Sequence, residues 1–563
     1  MREWLQETHA PGFELLRHFL LRFFDSELIT TPGQMTPVLI GTTPFAFQWF
    51  FLLLTPLRHK YAYLNSLPTP GPYREAVRAD ELWLITLMMA VIGLLTAIRW
   101  QSLFPDLRDY RILGALPLRA RQIFGAKLAA LLIVAAAALV AVNLLPSLGF
   151  PGISASRWAF ESSPGARIRA HAGASLAASS FLFFGLVALQ GVLLNLLPPR
   201  VFGRITGYLQ GCLVAIMLGL VVLSFSVQPQ ITNVVIQREW ARWLPPVWFL
   251  GLYQTFSGDP DPAMHTLAHR ATMSLLMVVT VALLSHLVSY QRHRTLLVEG
   301  MSGRTKDRRW DGTMLGWLVR DPRQQAVLAF MTNTLERSGY HRMILMGYGG
   351  LWFAIVLTGL IEMGSLVEHS RLLAADFVYF HLITLLFLLI GARHLFSLPT
   401  EWKANWIFQI TEREGRSAWL TAMDRFVLLW GAGLTLTIPV PLEFHLLGGR
   451  AFAEVGLFVA FGMVAFEWSF SSWDKLPFTC SHLPGKMPTW MIMGFFGLAG
   501  SVAALQSLLV STLFSPARFV VAMALLLPAW AQIRRRRRQG RNEIRLKFDE
   551  VPEPAVSGLN LLK

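Results

Sequence analysis

The sequence predicts an all-α polytopic membrane protein, with about twelve transmembrane helices in two six-helix repeats and both termini inside. Three observations predict it. Mean hydropathy is +0.46 across 563 residues, more apolar than a soluble core of that length. Uncharged runs near or above ~20 residues recur, each long enough as helix to cross roughly 30 Å of hydrocarbon. Cationic residues are unevenly shared between alternate loops. With the N-terminus inside, 37 of the 50 Lys and Arg fall on the inner side and 13 on the outer, counting Arg393 and Arg518 with the loops beside them. That bias supports an N-in, C-in path. Arg58, Lys60, Arg74 and Arg78, in the first outer loop, are the main dissent. The net charge of +16 is therefore read through topology, with membrane lipid and not nucleic acid as the anionic neighbour.

Residues 1–36 form a cytosolic or interfacial N-terminus, without the basic start and apolar core of a cleavable signal. In Phe13–Glu27 the apolar Phe13, Leu16, Leu20, Phe23 and Phe24 oppose Glu14, Arg17, His18, Arg22 and Asp25. This suits a helix lying in the interface; a short helix packed on cytosolic loops is the alternative. The first six-span half, 37–290, holds spans at Pro37–Leu57, Leu82–Ile98, Leu128–Leu148, Ala174–Leu197, Ile205–Val227 and Ala271–Tyr290. A basic cytosolic linker follows at 291–342, with Arg304, Lys306, Arg308 and Arg309 clustered. The second half, 343–533, holds Met343–Ile361, Phe377–Ser397, Phe426–Leu447, Phe452–Ser471, Thr489–Val510 and Leu513–Ile533, the ninth span carrying Pro439 and Pro441 near its end. The tail, 534–563, opens on five arginines, Arg534–Arg538. They read as a stop-transfer anchor rather than a nucleic-acid arm. From Gly540 the tail has the polar composition of a poorly ordered segment.

Between the second and third spans lies the charged stretch Asp106–Lys127, DLRDYRILGALPLRARQIFGAK. Asp106, Arg108, Asp109 and Arg111 make one mixed-charge side, with Ile112, Leu113 and Leu116 on or near the other. Pro117 forces Leu116 out of helical geometry and then suits the first turn of a new helix. Arg119, Arg121 and Lys127 lead into the next span. This pattern resembles the segment after the second span of ABC exporters with type-2 permeases. The resemblance implies a coupling helix that docks on a separate ATPase, with Asp106, Arg108, Asp109, Arg111, Arg119 and Arg121 as docking charges and Leu116 and Pro117 shaping the knob. It also implies a permease subunit of an ATP-driven exporter in a bacterial inner membrane, working by alternating access above two ATPase subunits.

The halves look related. FGLVALQ at Phe184–Gln190 matches FGMVAFE at Phe461–Glu467, in the fourth span of each half, and Leu-Pro follows both, at Leu197-Pro198 and Leu476-Pro477. A second coupling-like loop, Pro399–Arg425, carries Glu401, Lys403, Glu412, Arg413 and Arg416 but lacks the Leu-Pro-Leu break. The outer segment Gln228–Arg270, with Trp240, Trp243, Trp248 and Phe249, has no counterpart in the second half. In the exporter family short helices dip back from the outer face here; an ordinary interfacial aromatic belt is the alternative.

No Gly-x-x-x-x-Gly-Lys-Ser/Thr loop occurs, so ATP and magnesium are expected on the partner chain and no cofactor on this one. Cys212 lies in an apolar run and Cys480 in an inner loop, which predicts neither a disulfide nor a metal site. Asp106 and Asp109 could hold a cation beside a phosphorylated lipid, as a polytopic membrane enzyme would require; interleaved Arg108 and Arg111 favour docking. A transport-inactive scaffold is a further alternative. His265 and His269 share a helix face without the Glu of a zinc protease. Inside the spans Glu467 is the clearest ionisable group, with Gln190 its repeat mate. A buried acid there is a transport hypothesis, with Lys475 and Arg393 as possible partners.

Overall fold

The computed structural model describes residues 12–20, 57–104, 120–160, 163–226, 239–299, 319–363, 370–400, 405–436, 439–480, 504–541 and 545–548, with positions 55, 113, 118 and 502. They divide between two compact units, Met1–Thr305 and Lys306–Lys563. The described residues are almost wholly helical; no strand forms among them beyond an isolated bridge between Lys475 and Lys547. Among the described residues eight helices are long and apolar enough to cross a membrane, which makes this a multi-pass membrane protein.

In the first unit, helix α1 (12–20) presents Leu15 and Phe19 inward and leaves Phe13 exposed. Leu15 and Phe19 join a core with Ile92, Trp100 and Ile123, and the Lys127 ammonium sits 5.0 Å from the Phe19 ring. The amphipathic N-terminus is thus packed on the bundle. After α2 (57–66), helix α3 (Gly71–Ile98) contains the expected second span and begins eleven residues before it. Helices α4 (Ala120–Ile153) and α8 (Pro262–Glu299) contain the third and sixth, and α5 (Pro164–Leu196) and α6 (Pro199–Ser226) cover all but the last residue of the fourth and fifth. Proline at the first position pre-sets φ and forgoes only an amide that no helix would use. Short helix α7 (Pro245–Phe256) starts the same way and packs against α3, α5 and α8.

The second unit opens on α9 (Pro322–Arg337), capped by Asp321, whose carboxylate accepts from the Arg323 amide at 2.9 Å. Val327, Leu328 and Met331 bury into a core shared with Trp419, Leu420 and Met423. Part of the segment expected as linker is therefore a docked helix. Helices α10 (Gly339–Met363) and α11 (Ser370–Ser397) hold the seventh and eighth spans. The expected ninth span is corrected: α12 (Trp406–Leu436) begins twenty residues early, and a separate short helix α13 (Pro439–Leu447) follows. Pro439 and Pro441 lack the amides an interior turn needs, so one continuous helix through them is disfavoured. Helices α14 (Arg450–Ser469), α15 (Ala504–Leu513) and α16 (Pro516–Gly540) follow. Most of Pro37–Leu57 and most of Thr489–Val510 lie outside the described residues.

The tail also departs from its expected form. Helix α16 runs on through all five arginines, and Leu546 and Phe548 are buried in the core of the second unit. In each unit the fourth-span helix packs against both the second-span and the sixth-span helix: α5 on α3 and α8, α14 on α11 and α16.

Candidate functional site

Of the first coupling segment, Asp106, Arg108, Asp109, Arg111, Leu116, Pro117 and Arg119 lie outside the described residues; Arg121 is exposed in the first turn of α4. In the second, Glu401 and Lys403 lie outside. Glu412, Arg413 and Arg416 stand on α12, not in a loop. Arg416 pairs with Glu412 one turn away at 2.9 Å, and Glu412 accepts the Leu546 amide at 2.8 Å. That carboxylate helps to hold the tail against the unit.

Gln190 is buried, its Oε1 meeting no donor among the described residues. Glu467 is buried too, but neither Lys475 nor Arg393 is its partner. Arg537 donates to it at 2.9 Å and to Asp424 at 2.6 Å, and Arg541 completes the cluster on Asp424 and Thr421. Burial pushes the Asp424 carboxyl up from its ordinary range, while the two guanidiniums pull it back down. Arg393 instead caps the Ser469 carbonyl and lies over Trp473.

The inward-facing chemistry gathers at the outer ends of the helices, in the orientation the charge bias assigns. In the first unit Glu81 on α3 and His171 on α5 are both fully buried, with Nδ1 2.8 and 2.9 Å from the two carboxylate oxygens. Phe150 and Tyr253 pack round the imidazole. One residue earlier, Asp80 accepts from Lys60 at 2.8 Å and from the Tyr61 hydroxyl at 2.7 Å. Burial, then the Asp80 charge, raises the Tyr61 phenol well above its usual range. Arg78 pairs with Asp259 at 2.6 Å. Two of the four cations that dissent from the positive-inside bias are thus neutralised by carboxylates of the same unit.

The second unit repeats the residue types, with the His on the second-span helix and the Glu on a short helix before the fourth. His381 on α11 is buried, its Nε2 3.1 Å from Glu443 on α13, with the Phe458 ring stacked at 4.4 Å. Glu454 on α14 meets the Glu443 carboxyl. Two carboxyls and an imidazole can hold a proton and pass it between them. Among the described residues no group of three or more His, Cys, Asp or Glu could hold a metal ion. His265 and His269 are exposed on α8.

These groups were missed because each sits at a span end. Glu81 directly precedes the expected second span, His171 lies three residues before the fourth, and Glu443 follows two prolines. The one available signal is that polar residues flank apolar runs on helical spacing. No family model, curated protein or solved structure matches this chain, so its function is argued from these residues.

Proposed function

We propose that the chain is a fused permease of an ATP-driven exporter in a bacterial inner membrane, its two six-span halves working by alternating access above two separate ATPase subunits. One observation carries the reading. Helix α7, twelve residues between the fifth and sixth spans, is tucked into the first unit with Val247, Phe249, Leu250 and Leu252 buried. Its position is where the type-2 resemblance leads one to expect a re-entrant element, and its burial supports that reading over an aromatic belt. Two further features agree. Each unit opens on an amphipathic helix docked by its apolar face, and in each the fourth-span helix joins the second and the sixth. The halves are unequal: only a short turn joins α15 to α16, leaving no room for a counterpart of α7. Asp106 to Arg121 would dock one ATPase. The helical Glu412, Arg413 and Arg416 would make the second docking surface a helix side. Apolar spans suit a hydrophobic or amphipathic cargo.

Purification of the tagged full chain in gentle detergent tests the reading. A stoichiometric Walker-motif ATPase should accompany it and be lost when Arg119 and Arg121 are both changed to Glu. A chain that emerges alone, under conditions that preserve other complexes, sinks it. The His381–Glu443–Glu454 group favours a second reading, transport driven by protons. Uptake that follows an imposed pH gradient without nucleotide would select it.

A further inference from the structure

At the outer end of the first unit a crevice of about 30 Å³ opens between α3, α5, α7 and the 154–160 turn. Tyr73, Trp158 and Phe160 give it aromatic walls, and Arg74 and Arg167 bring two guanidiniums. The charges around it do not balance. Lys60 is taken by Asp80, Arg78 by Asp259 and Asp261, and His171 by Glu81. Arg74 lies over the Phe160 ring at 4.1 Å. Neither Arg74 nor Arg167 has a carboxylate partner among the described residues. The Arg167 Nε and the Trp158 Nε1 are both buried without an acceptor. A buried donor left without an acceptor is costly, and two such donors beside two uncompensated cations call for an oxyanion.

We infer that this crevice binds the phosphate or carboxylate group of an anionic ligand from the outer face, held by Arg167, Arg74 and the Trp158 indole. Guanidinium presents parallel N–H donors that fit either oxyanion in a bidentate way. The volume limits what enters. A water needs roughly 10–15 Å³ on this measure, so the group's oxygens fit and an attached chain stays outside, along the aromatic rim.

The test uses the purified full-length chain in neutral detergent, following its thermal unfolding. The probes are inorganic phosphate and mixed micelles of phosphatidylglycerol, with phosphatidylcholine as the uncharged control. Stabilisation by phosphatidylglycerol but not by phosphate assigns a lipid headgroup; stabilisation by both assigns a free anion. Either way Arg167→Gln and Arg74→Gln should each raise the half-saturating concentration at least tenfold, while Arg169→Gln, an exposed neighbour that does not line the crevice, should leave it unchanged. Arg167→Lys, which keeps the charge and loses the fork, should fall between. Glu161, adjacent to Phe160 in sequence, lies outside the described residues; binding seen only in Glu161→Gln would overturn the inference for the native chain. No stabilisation by either anion, or equal loss in Arg169→Gln, would overturn it as well.

Discussion

Arg537 is buried against Glu467, its Nη1 2.9 Å from a carboxylate seventy positions earlier in the chain. Its second nitrogen reaches Asp424, so one guanidinium closes α16 onto both α12 and α14. Removing it leaves buried Glu467 with only Arg534, 3.9 Å off, and leaves Asp424 to Arg541 alone. Arg537→Gln should therefore cost about 3–5 kcal/mol, the scale of a broken buried pair, read as a lower apparent melting temperature in detergent. Neutralising all three positions, with Asp424→Asn and Glu467→Gln added, should recover part of the loss. A triple variant weaker than the single one would refute the pairing. Glu467→Gln alone is then expected to act first on stability, where the sequence reading placed a transport effect.

His341 supplies the pH dependence. It lies just before the expected seventh span, its Nε2 3.1 Å from the Leu398 carbonyl and its Nδ1 2.7 Å from Ser338. Burial lowers its pKa below the ordinary value, against a smaller upward pull from the Leu398 bond. Between the folded pKa and the unfolded value near ~6.5, the unfolded chain binds more protons. Stability therefore rises with pH across that window, and the contribution present above ~6.5 is lost as pH falls toward the folded pKa. Melting temperature measured from pH 7.5 downward should drop in the native chain and drop less in His341→Gln. Parallel curves would refute it.

Glu81 and His171 invite a double-mutant cycle. Each is enclosed by protein on all sides, so Glu81→Gln and His171→Gln should each destabilise the chain. The double variant should cost less than the sum, with a coupling of about 0.5–3 kcal/mol. Additive losses would mean that the two side chains are held separately by their surroundings.

Much of the fold was legible because apolar runs of membrane length are a strong signal; eight of the expected spans coincide with helices able to cross. What failed did so for particular reasons. Trp406–Arg425 looked like a loop because its charges masked the period, yet Trp419, Leu420 and Met423 face the core while Ile407 and Ile410 face away. The five arginines hid a pattern that was available. Arg534, Arg537 and Arg541, at i, i+3 and i+7, share one helix face and are the ones that reach Glu467 and Asp424. Composition named an anchor; periodicity would have named a packed helix face. Most of the first coupling segment lies outside the described residues, so its role still rests on resemblance.

Glu454 tests the opposite sign from Arg537. Its carboxyl meets that of Glu443, and both are buried. No Lys or Arg pairs with either among the described residues. Two like charges so placed oppose folding. Glu454→Gln should therefore hold or raise the melting temperature, since an amide can donate to Glu443. Glu443→Ala should lower it by leaving His381 without its partner. A clear fall in stability for Glu454→Gln would sink this account.

Gly251 decides whether α7 is the element that the permease reading needs. A Cβ at this position would meet the Leu267 Cβ at 2.4 Å, the Met264 carbonyl oxygen at 2.8 Å and the Ala268 amide nitrogen at 3.0 Å. Two of these atoms are backbone of α8 and cannot rotate away. Glycine is thus required for close approach of α7 to α8, and its φ plays no part. Gly251→Ala should cost about 1–3 kcal/mol by overpacking, and Gly251→Val more. Gly433, on α12, has nothing within 4 Å of its Cβ position among the described residues, so Gly433→Ala is the matched control and should be close to neutral. The informative step joins stability to function. If α7 serves the outer end of a transport path, Gly251→Ala should reduce export while the chain still purifies with its ATPase, because on the path the charge bias assigns the expected docking segment falls on the opposite side of the membrane. Loss of the ATPase together with export would show that the variant has merely unfolded the unit, whereas full export with a lowered melting temperature would show that α7 is packing alone.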